Sequence, residues 1–336
     1  MLKGHGDDIY EYQQQIVSNF SSNIYNRQDL TGLQNHLCER ISQIHSYPEP
    51  EAYSLALLLS HKLAIGTDNI CVTNGATEAI YLIAQLFSGG QSVVITHTFS
   101  EYEDACRINR HEIGYSASLH QINPKAGLVV WMCNPNNPDG GVYHKKYLSE
   151  FIATYPDVYF IVDQSYQAFT SDQYVLNPQE AIEHENLILL HSMTKSYAIP
   201  GLRLGYITAC RELIDRICVY RMPWSINQLA VEAGKYLLTS GSPPFCLEEY
   251  LAETNRLMSE LSHIEGLVVL PTNTHFFLCE LKDKKAADLK KYLIENHGIL
   301  IRDAANFRGL NEHYFRLATQ SPSENNILIK AIREWI

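Results

Sequence analysis

Five short, largely apolar runs at residues 71–73, 92–95, 128–132, 159–162 and 187–190 constrain what this chain can fold into more than any other feature. Each is too short to be a buried helix, and apolar side chains at successive positions would leave both faces of an extended chain in need of cover. Strands with that pattern suit a sheet packed on both sides, in contrast to the in-out alternation of a half-exposed one. Between the runs, 77–87, 102–109 and 145–155 carry helical periodicity. Strand and helix alternating in this way predict a doubly wound α/β domain with a mostly parallel sheet.

The chain has 336 residues, beyond the roughly 250–300 at which a single core stops growing, so a second unit is expected. The pattern changes after Pro223. Residues 227–238 and 247–264 read as long helices, 267–270, 275–279 and 314–318 as strands, and 286–296 and 323–335 as further helices. That is a smaller α+β unit. The expected division is a loop-rich, polar amino-terminal arm over 1–50, a large domain over 51–225, and an interdomain helix with a small carboxyl-terminal domain over 226–336.

Charge narrows the choice of partners. Lys and Arg total 26 against 37 Asp and Glu, a formal charge of −11, and a field of that sign repels phosphate backbones and anionic lipid. Nucleic acid and membrane surfaces are not expected partners. Eight cysteines are scattered with no Cys-x-x-Cys spacing and most sit in apolar runs, which reads as reduced core thiols, and no metal site is expected. Residues 1–8 hold no apolar leader, and no apolar run approaches about 18 residues, so a cytoplasmic protein is expected.

Residues able to carry chemistry gather just after the apolar runs. Run 187–190 continues as His191-Ser192-Met193-Thr194-Lys195-Ser196, with Arg203 eight residues beyond the lysine. A lysine there lies at the carboxyl edge of the sheet, where open α/β proteins bind ligands. Hydroxyls at 192, 194 and 196 with Arg203 make an anion site beside an amine, as a pyridoxal phosphate Schiff base requires. Run 159–162 ends in Asp163, placed to keep a pyridine nitrogen protonated, and Tyr166 follows three residues on. Cys133-Asn134-Pro135-Asn136-Asn137-Pro138-Asp139-Gly140 is a tight turn presenting an amide, and Asn74-Gly75-Ala76-Thr77 is a strand-to-helix turn whose N–H groups can cradle phosphate. Each segment alone has a plainer reading: a surface lysine, an acid capping a turn, an ordinary loop. Arg316 is harder to dismiss, because a lone charge within the apolar run 314–318 is costly unless it meets an anion.

Taken in order, Gly-Ala-Thr-Glu, Asn-Pro-Asp-Gly, Asp-x-x-Tyr and Ser-x-x-Lys with arginine eight later resemble the fold type I pyridoxal phosphate enzymes of aminotransferase classes I and II, over essentially the whole chain. The resemblance implies a three-layer α/β/α large domain with a smaller α+β carboxyl-terminal domain. It implies that Lys195 carries the cofactor, Asp163 pairs with its ring nitrogen, and Asn137 and Tyr166 contact its ring hydroxyl. Ser192, Arg203 and the amides of Ala76 and Thr77 would hold its phosphate, and Phe99 would stack on its ring. Tyr47 matches the tyrosine that reaches the neighbouring subunit's phosphate, implying a homodimer.

Within that family the chain is similar to the branch of histidinol-phosphate aminotransferases and threonine-phosphate decarboxylases. The resemblance to the decarboxylases rests on His5-Gly6, Phe20-Ser21-Ser22-Asn23-Ile24, Arg221-Met222-Pro223-Trp224-Ser225-Ile226-Asn227 and the stretch from Ile299 to Arg316. It implies conversion of L-threonine O-3-phosphate to (R)-1-amino-2-propanol O-2-phosphate, a step of cobalamin biosynthesis. Arg316 would grip carboxylate, and Arg302, His5, Ser21 and Asn23 would surround phosphate. Transamination of histidinol phosphate stays open, as does a binding module without turnover. Two departures from the family pattern, His5-Gly6-Asp7-Asp8 for His-Gly-Gly-Asn and Asp139 for threonine, are expected to bring extra acids near the phosphate pocket.

Overall fold

A computed structural model describes residues 6–239 and 245–336. Strand β1 (Ser18–Asn19) and helices α1 (Thr31–Arg40) and α2 (Tyr53–Leu63) precede a seven-stranded sheet. That sheet is built from β2 (Ile70–Thr73), β3 (Gln91–Ile95), β4 (Glu112–Ser116), β5 (Val129–Cys133), β6 (Tyr159–Asp163), β7 (Leu187–Ser192) and β8 (Gly205–Ala209), in the order β2-β8-β7-β6-β5-β3-β4. Its pairings are parallel except at β8, which runs antiparallel to both neighbours. Helices α3 (Gly75–Leu86), α4 (Glu101–Ile108), α5 (Lys145–Thr154), α6 (Pro178–Glu183) and α7 (Arg211–Cys218) connect or flank the strands.

The uniformly apolar runs have a direct cause in this sandwich. Val129, Trp131 and Cys133 of β5 face a core shared with Ile80 and Ile83 of α3, while Val130 and Met132 face the opposite core with Leu148 and Ile152 of α5. Both faces of every central strand are therefore buried. Strands β4 and β8 stand outside the five apolar runs. Glu112, Gly114 and Ser116 give β4 a polar pattern, because it is a sheet edge; β8 follows the motif-rich 191–203 segment and reads as its tail.

Helices α8 (Gln228–Thr239) and α9 (Leu247–Ser262) lead into a four-stranded antiparallel sheet of β9 (Leu267–Val269), β10 (Phe276–Leu281), β12 (Arg302–Asp303) and β13 (Tyr314–Ala318), in the order β12-β13-β10-β9. Helices α10 (Ala286–His297) and α11 (Pro322–Trp335) cover it through Leu289, Leu293, Leu328 and Ile332, packed on Phe277, Cys279, Phe315 and Leu317. The first fifty residues hold more structure than a loop-rich arm. They include the ten-residue helix α1, and β1 pairs in parallel with β11 (Ile299–Leu300), which fastens them to the four-stranded unit. The expectation of core thiols holds for five of the eight cysteines, but Cys38 and Cys246 are exposed, Cys38 near the end of a surface helix and Cys246 in the loop before α9. Among the described residues no helix is long and apolar enough to cross a membrane.

Candidate active site

The carboxyl ends of the central strands converge on one cavity of about 400 Å³. Asp163 closes β6, Lys195 follows β7 by three residues, Asn137 follows β5, Phe99 follows β3, and Ala76 and Thr77 open α3 directly after β2. Arg302 and Arg316 reach the same space from β12 and β13, and Ser21 and Asn23 from the segment after β1. Thirteen of the fifteen residues singled out in the sequence line it. Tyr47 does not: it is 83 % exposed and packs against Trp224, with ring centroids 5.2 Å apart. His5 lies outside the described residues.

Two glycines shape the anion end of the cavity. Gly75 has φ +77°, and a Cβ there would meet Arg203 Nη2 at 2.6 Å; a Cβ on Gly205 would meet the Ala76 nitrogen at 2.8 Å. Bare backbone thus lets Arg203 lie against the first turn of α3, where exposed N–H groups and the helix dipole favour an anion. Arg203 Nη1 donates to the Pro200 carbonyl at 3.2 Å. A cradle of this kind fits the phosphate of pyridoxal phosphate.

The floor fits the rest of the cofactor. Asp163 is buried, accepts hydrogen bonds from the Tyr102 hydroxyl at 2.7 Å and the Ser165 N–H at 2.8 Å, and burial pushes its carboxyl above the usual range. A carboxyl so placed is relieved by a cationic partner such as a protonated pyridine nitrogen. Lys195 is brought down to about 8, first by burial and then by the nearby charges of Arg316 and Arg203. An amine so lowered has a far larger neutral fraction near physiological pH than an ordinary lysine, and the neutral form is the one that attaches to an aldehyde. The buried Tyr166 hydroxyl accepts from Asn23 Nδ2 at 3.3 Å.

Arg302 and Arg316 are register partners on adjacent antiparallel strands, and both are buried. Arg316 donates through Nη2 to the Ser21 carbonyl at 2.6 Å and through Nη1 to Asn137 Oδ1, while its buried Nε has no partner. Burial draws its guanidinium down to about 9, with Arg302 adding to the effect. Arg302 donates to the Asp303 carbonyl and to Asn306 Oδ1. No ion pair forms at Lys195, Arg302 or Arg316 among the described residues, whereas most other basic groups of the fold find carboxylates.

The expectation of extra acids near the phosphate pocket holds only for Asp7. Asp139 turns into its own loop, where Oδ1 accepts from Asn136 Nδ2 and the Gly141 N–H. Asp8 pairs with Lys290 Nζ at 2.6 Å. Asp7 lines the cavity, with Oδ1 engaged by Asn19 Nδ2 at 2.6 Å. Sequence reasoning passed over Tyr102, Asn306 and Phe307 as lining groups. Tyr102 reads simply as part of an amphipathic helix, and its bond to a residue 61 positions away leaves no local signal.

Comparison with known proteins agrees with this geometry. Residues 15–332 match the family described as aminotransferase class I and II. The crystal structure of L-threonine-O-3-phosphate decarboxylase from Porphyromonas gingivalis superposes with a TM-score of 0.91 at 37% identity, covering 95% of this chain and 99% of that one. A histidinol-phosphate aminotransferase of Caldanaerobacter subterraneus subsp. tengcongensis is 30% identical over 87% of this chain and 84% of its own length. The histidinol-phosphate aminotransferase of Sinorhizobium meliloti, whose crystal structure is a complex with pyridoxal-5'-phosphate, shares the fold with a TM-score of 0.79 at 17% identity, over 95% of this chain and 90% of that one.

Proposed function

The chain belongs to the aminotransferase class I and II family, whose enzymes depend on pyridoxal phosphate, and from that premise we propose that it decarboxylates L-threonine O-3-phosphate to (R)-1-amino-2-propanol O-2-phosphate. The observation that carries this reading is the buried pair Arg302 and Arg316. Like charges directly opposite on paired strands repel, and each guanidinium has given up water. A substrate with both a carboxylate and a phosphate neutralises the two together. Histidinol phosphate carries only the phosphate. The 37% identity to the Porphyromonas gingivalis decarboxylase supports the same choice.

In this reading Arg203, Ser192 and the amides of Ala76 and Thr77 hold the cofactor's phosphate, Asp163 its ring nitrogen, Asn137 and Tyr166 its ring hydroxyl, and Phe99 packs on its ring. When bound, the cofactor supplies an electron sink for negative charge developing at the substrate's α carbon. Arg316 orients the substrate carboxylate, while Arg302 with Ser21 and Asn23 receives its phosphate. By gripping the carboxylate and the phosphate at separate points, these two arginines would set which substituent of the α carbon is released, and in this reading that is carbon dioxide. Lys195, protonated at Nζ near neutral pH, would deliver that proton to the α carbon in place of the departing carbon dioxide and be left as the neutral amine.

The test is incubation with L-threonine O-3-phosphate in the absence of 2-oxoglutarate, with carbon dioxide release expected. Turnover of histidinol phosphate that requires 2-oxoglutarate, with none of threonine phosphate, would reverse the choice. That second reading draws on the 30% identical aminotransferase. The proposal extends to a homodimer, supported by Tyr47 standing exposed beside Trp224 and away from its own chain's cavity. In a pair of subunits it would complete the other phosphate site.

A further inference from the structure

The loop between β12 and β13 is tied to the far side of the cavity by an ion pair that none of the substrate or cofactor roles above requires. Arg308 donates through Nε and Nη2 to the two oxygens of Glu103, at 3.0 and 2.8 Å. These residues lie 205 positions apart, Glu103 on α4 of the seven-stranded unit and Arg308 in the loop of the four-stranded unit. A two-bond fork fixes direction as well as distance. Glu103 is buried and also receives Arg107 Nε and Nη2, and the Arg308 guanidinium lies 3.9 Å from the Tyr115 ring centroid. Both ends are thus held: one by the helix, the other by an aromatic face.

The loop carries more than this contact. Asn306 Oδ1 accepts from Arg302 Nη2 at 2.8 Å, the Phe307 ring lies 5.1 Å from the Arg302 guanidinium, and both residues line the cavity. On the other side, α4 supplies Tyr102, the hydroxyl partner of Asp163. We propose that Glu103 and Arg308 are positioning residues, a latch that seats the 304–310 loop and through Asn306 and Phe307 fixes the guanidinium of Arg302. The substrate role of Arg302 belongs to the reading above, on which this inference rests. The latch persists across assay pH: burial works to raise the Glu103 carboxyl, but hydrogen bonds from Arg308, Arg107 and Tyr115 hold it at about 2.

Glu103→Gln, Arg308→Gln and Arg308→Lys in the holoenzyme test the latch by two measurements. In the first, amide hydrogen exchange over 304–310 is faster in both glutamine variants, with Arg308→Lys intermediate because lysine keeps the charge and loses the fork. In the second, KM for L-threonine O-3-phosphate rises about fivefold, the scale of a partly exposed ion pair, while kcat and the cofactor Kd hold. Unchanged exchange in both glutamine variants overturns the latch whatever the substrate proves to be. So does a KM effect matched by equal loss of cofactor affinity, which would mark a general structural role. Failure of the wild-type enzyme to release carbon dioxide from this substrate sinks the functional reading instead, and exchange still decides the latch.

Discussion

Lys195 and the two facing arginines break local rules, and each breach has a chemical consequence. A lysine buried beside Arg316 and Arg203 loses its proton at about 8, well below the ordinary lysine range. The direction matters: because the folded value is lowered, the neutral amine becomes available as pH rises through about 8. Reconstitution of apoprotein with pyridoxal phosphate, followed by absorbance, should accelerate across that interval and level off above it. Acceleration that continues toward the range of a free lysine would refute the perturbed environment. Lys195→Ala should lose the cofactor absorbance band and lower kcat by roughly 10³-fold, within the range for removing a positioned acid–base group. At Arg302 the expectation is selective. Arg302→Ala should raise KM for threonine phosphate by roughly tenfold or more, the scale of a charged hydrogen bond, with cofactor affinity unchanged in an absorbance titration.

Among the elements, the junction of β2, α3 and β8 depends on two positions without side chains. Gly75 sits at φ +77° against Arg203, and Gly205 packs its Cα on the Gly75-Ala76 backbone and on the His191 carbonyl. Gly75→Ala adds about 1–2 kcal/mol of left-handed backbone strain and displaces the guanidinium from the helix terminus. Its expected signature is a weakened cofactor Kd alongside the lower Tm, since the displaced group belongs to the anion cradle. A fall in Tm with cofactor affinity intact would show that Arg203 does not serve the phosphate. The strands behind this junction are legible in sequence because burial on both faces leaves an uninterrupted apolar run. Strand β4, at the sheet edge, is not, because one side of an edge strand can be polar.

For the whole molecule, the exposed apolar residues carry the prediction. Tyr47, Tyr53, Val219, Met222 and Trp224 are large, apolar and solvent-exposed in the single chain, with the backbone N–H of Trp224 donating to the Pro50 carbonyl. Several such groups on neighbouring segments are what a surface covered by another protein presents, and they support the proposed homodimer. Sedimentation equilibrium should give a dimer, and Tyr47→Ala should weaken cofactor binding although Tyr47 is absent from its own chain's cavity. A monomer with undiminished cofactor affinity would refute the arrangement.

What the amino-acid sequence alone determined was the mostly parallel α/β sheet and which residues gather at its carboxyl edge. Strand burial imposes a local pattern, and Asp163, Lys195 and Asn137 follow directly from the strands that position them. The bulk charge of −11 was a poor guide to the pocket, since the cavity gathers Lys195, Arg203, Arg302 and Arg316. Only the tertiary structure decided which acids share that space. Asp139 is spent on its own turn and Asp8 on Lys290, while Asp7 stays on the cavity wall. The bond from Tyr102 to Asp163 and the fork from Arg308 to Glu103 likewise join residues 61 and 205 positions apart. Long-range pairs of this kind have no period and no neighbouring signature, because the chain must close on itself before their partners exist.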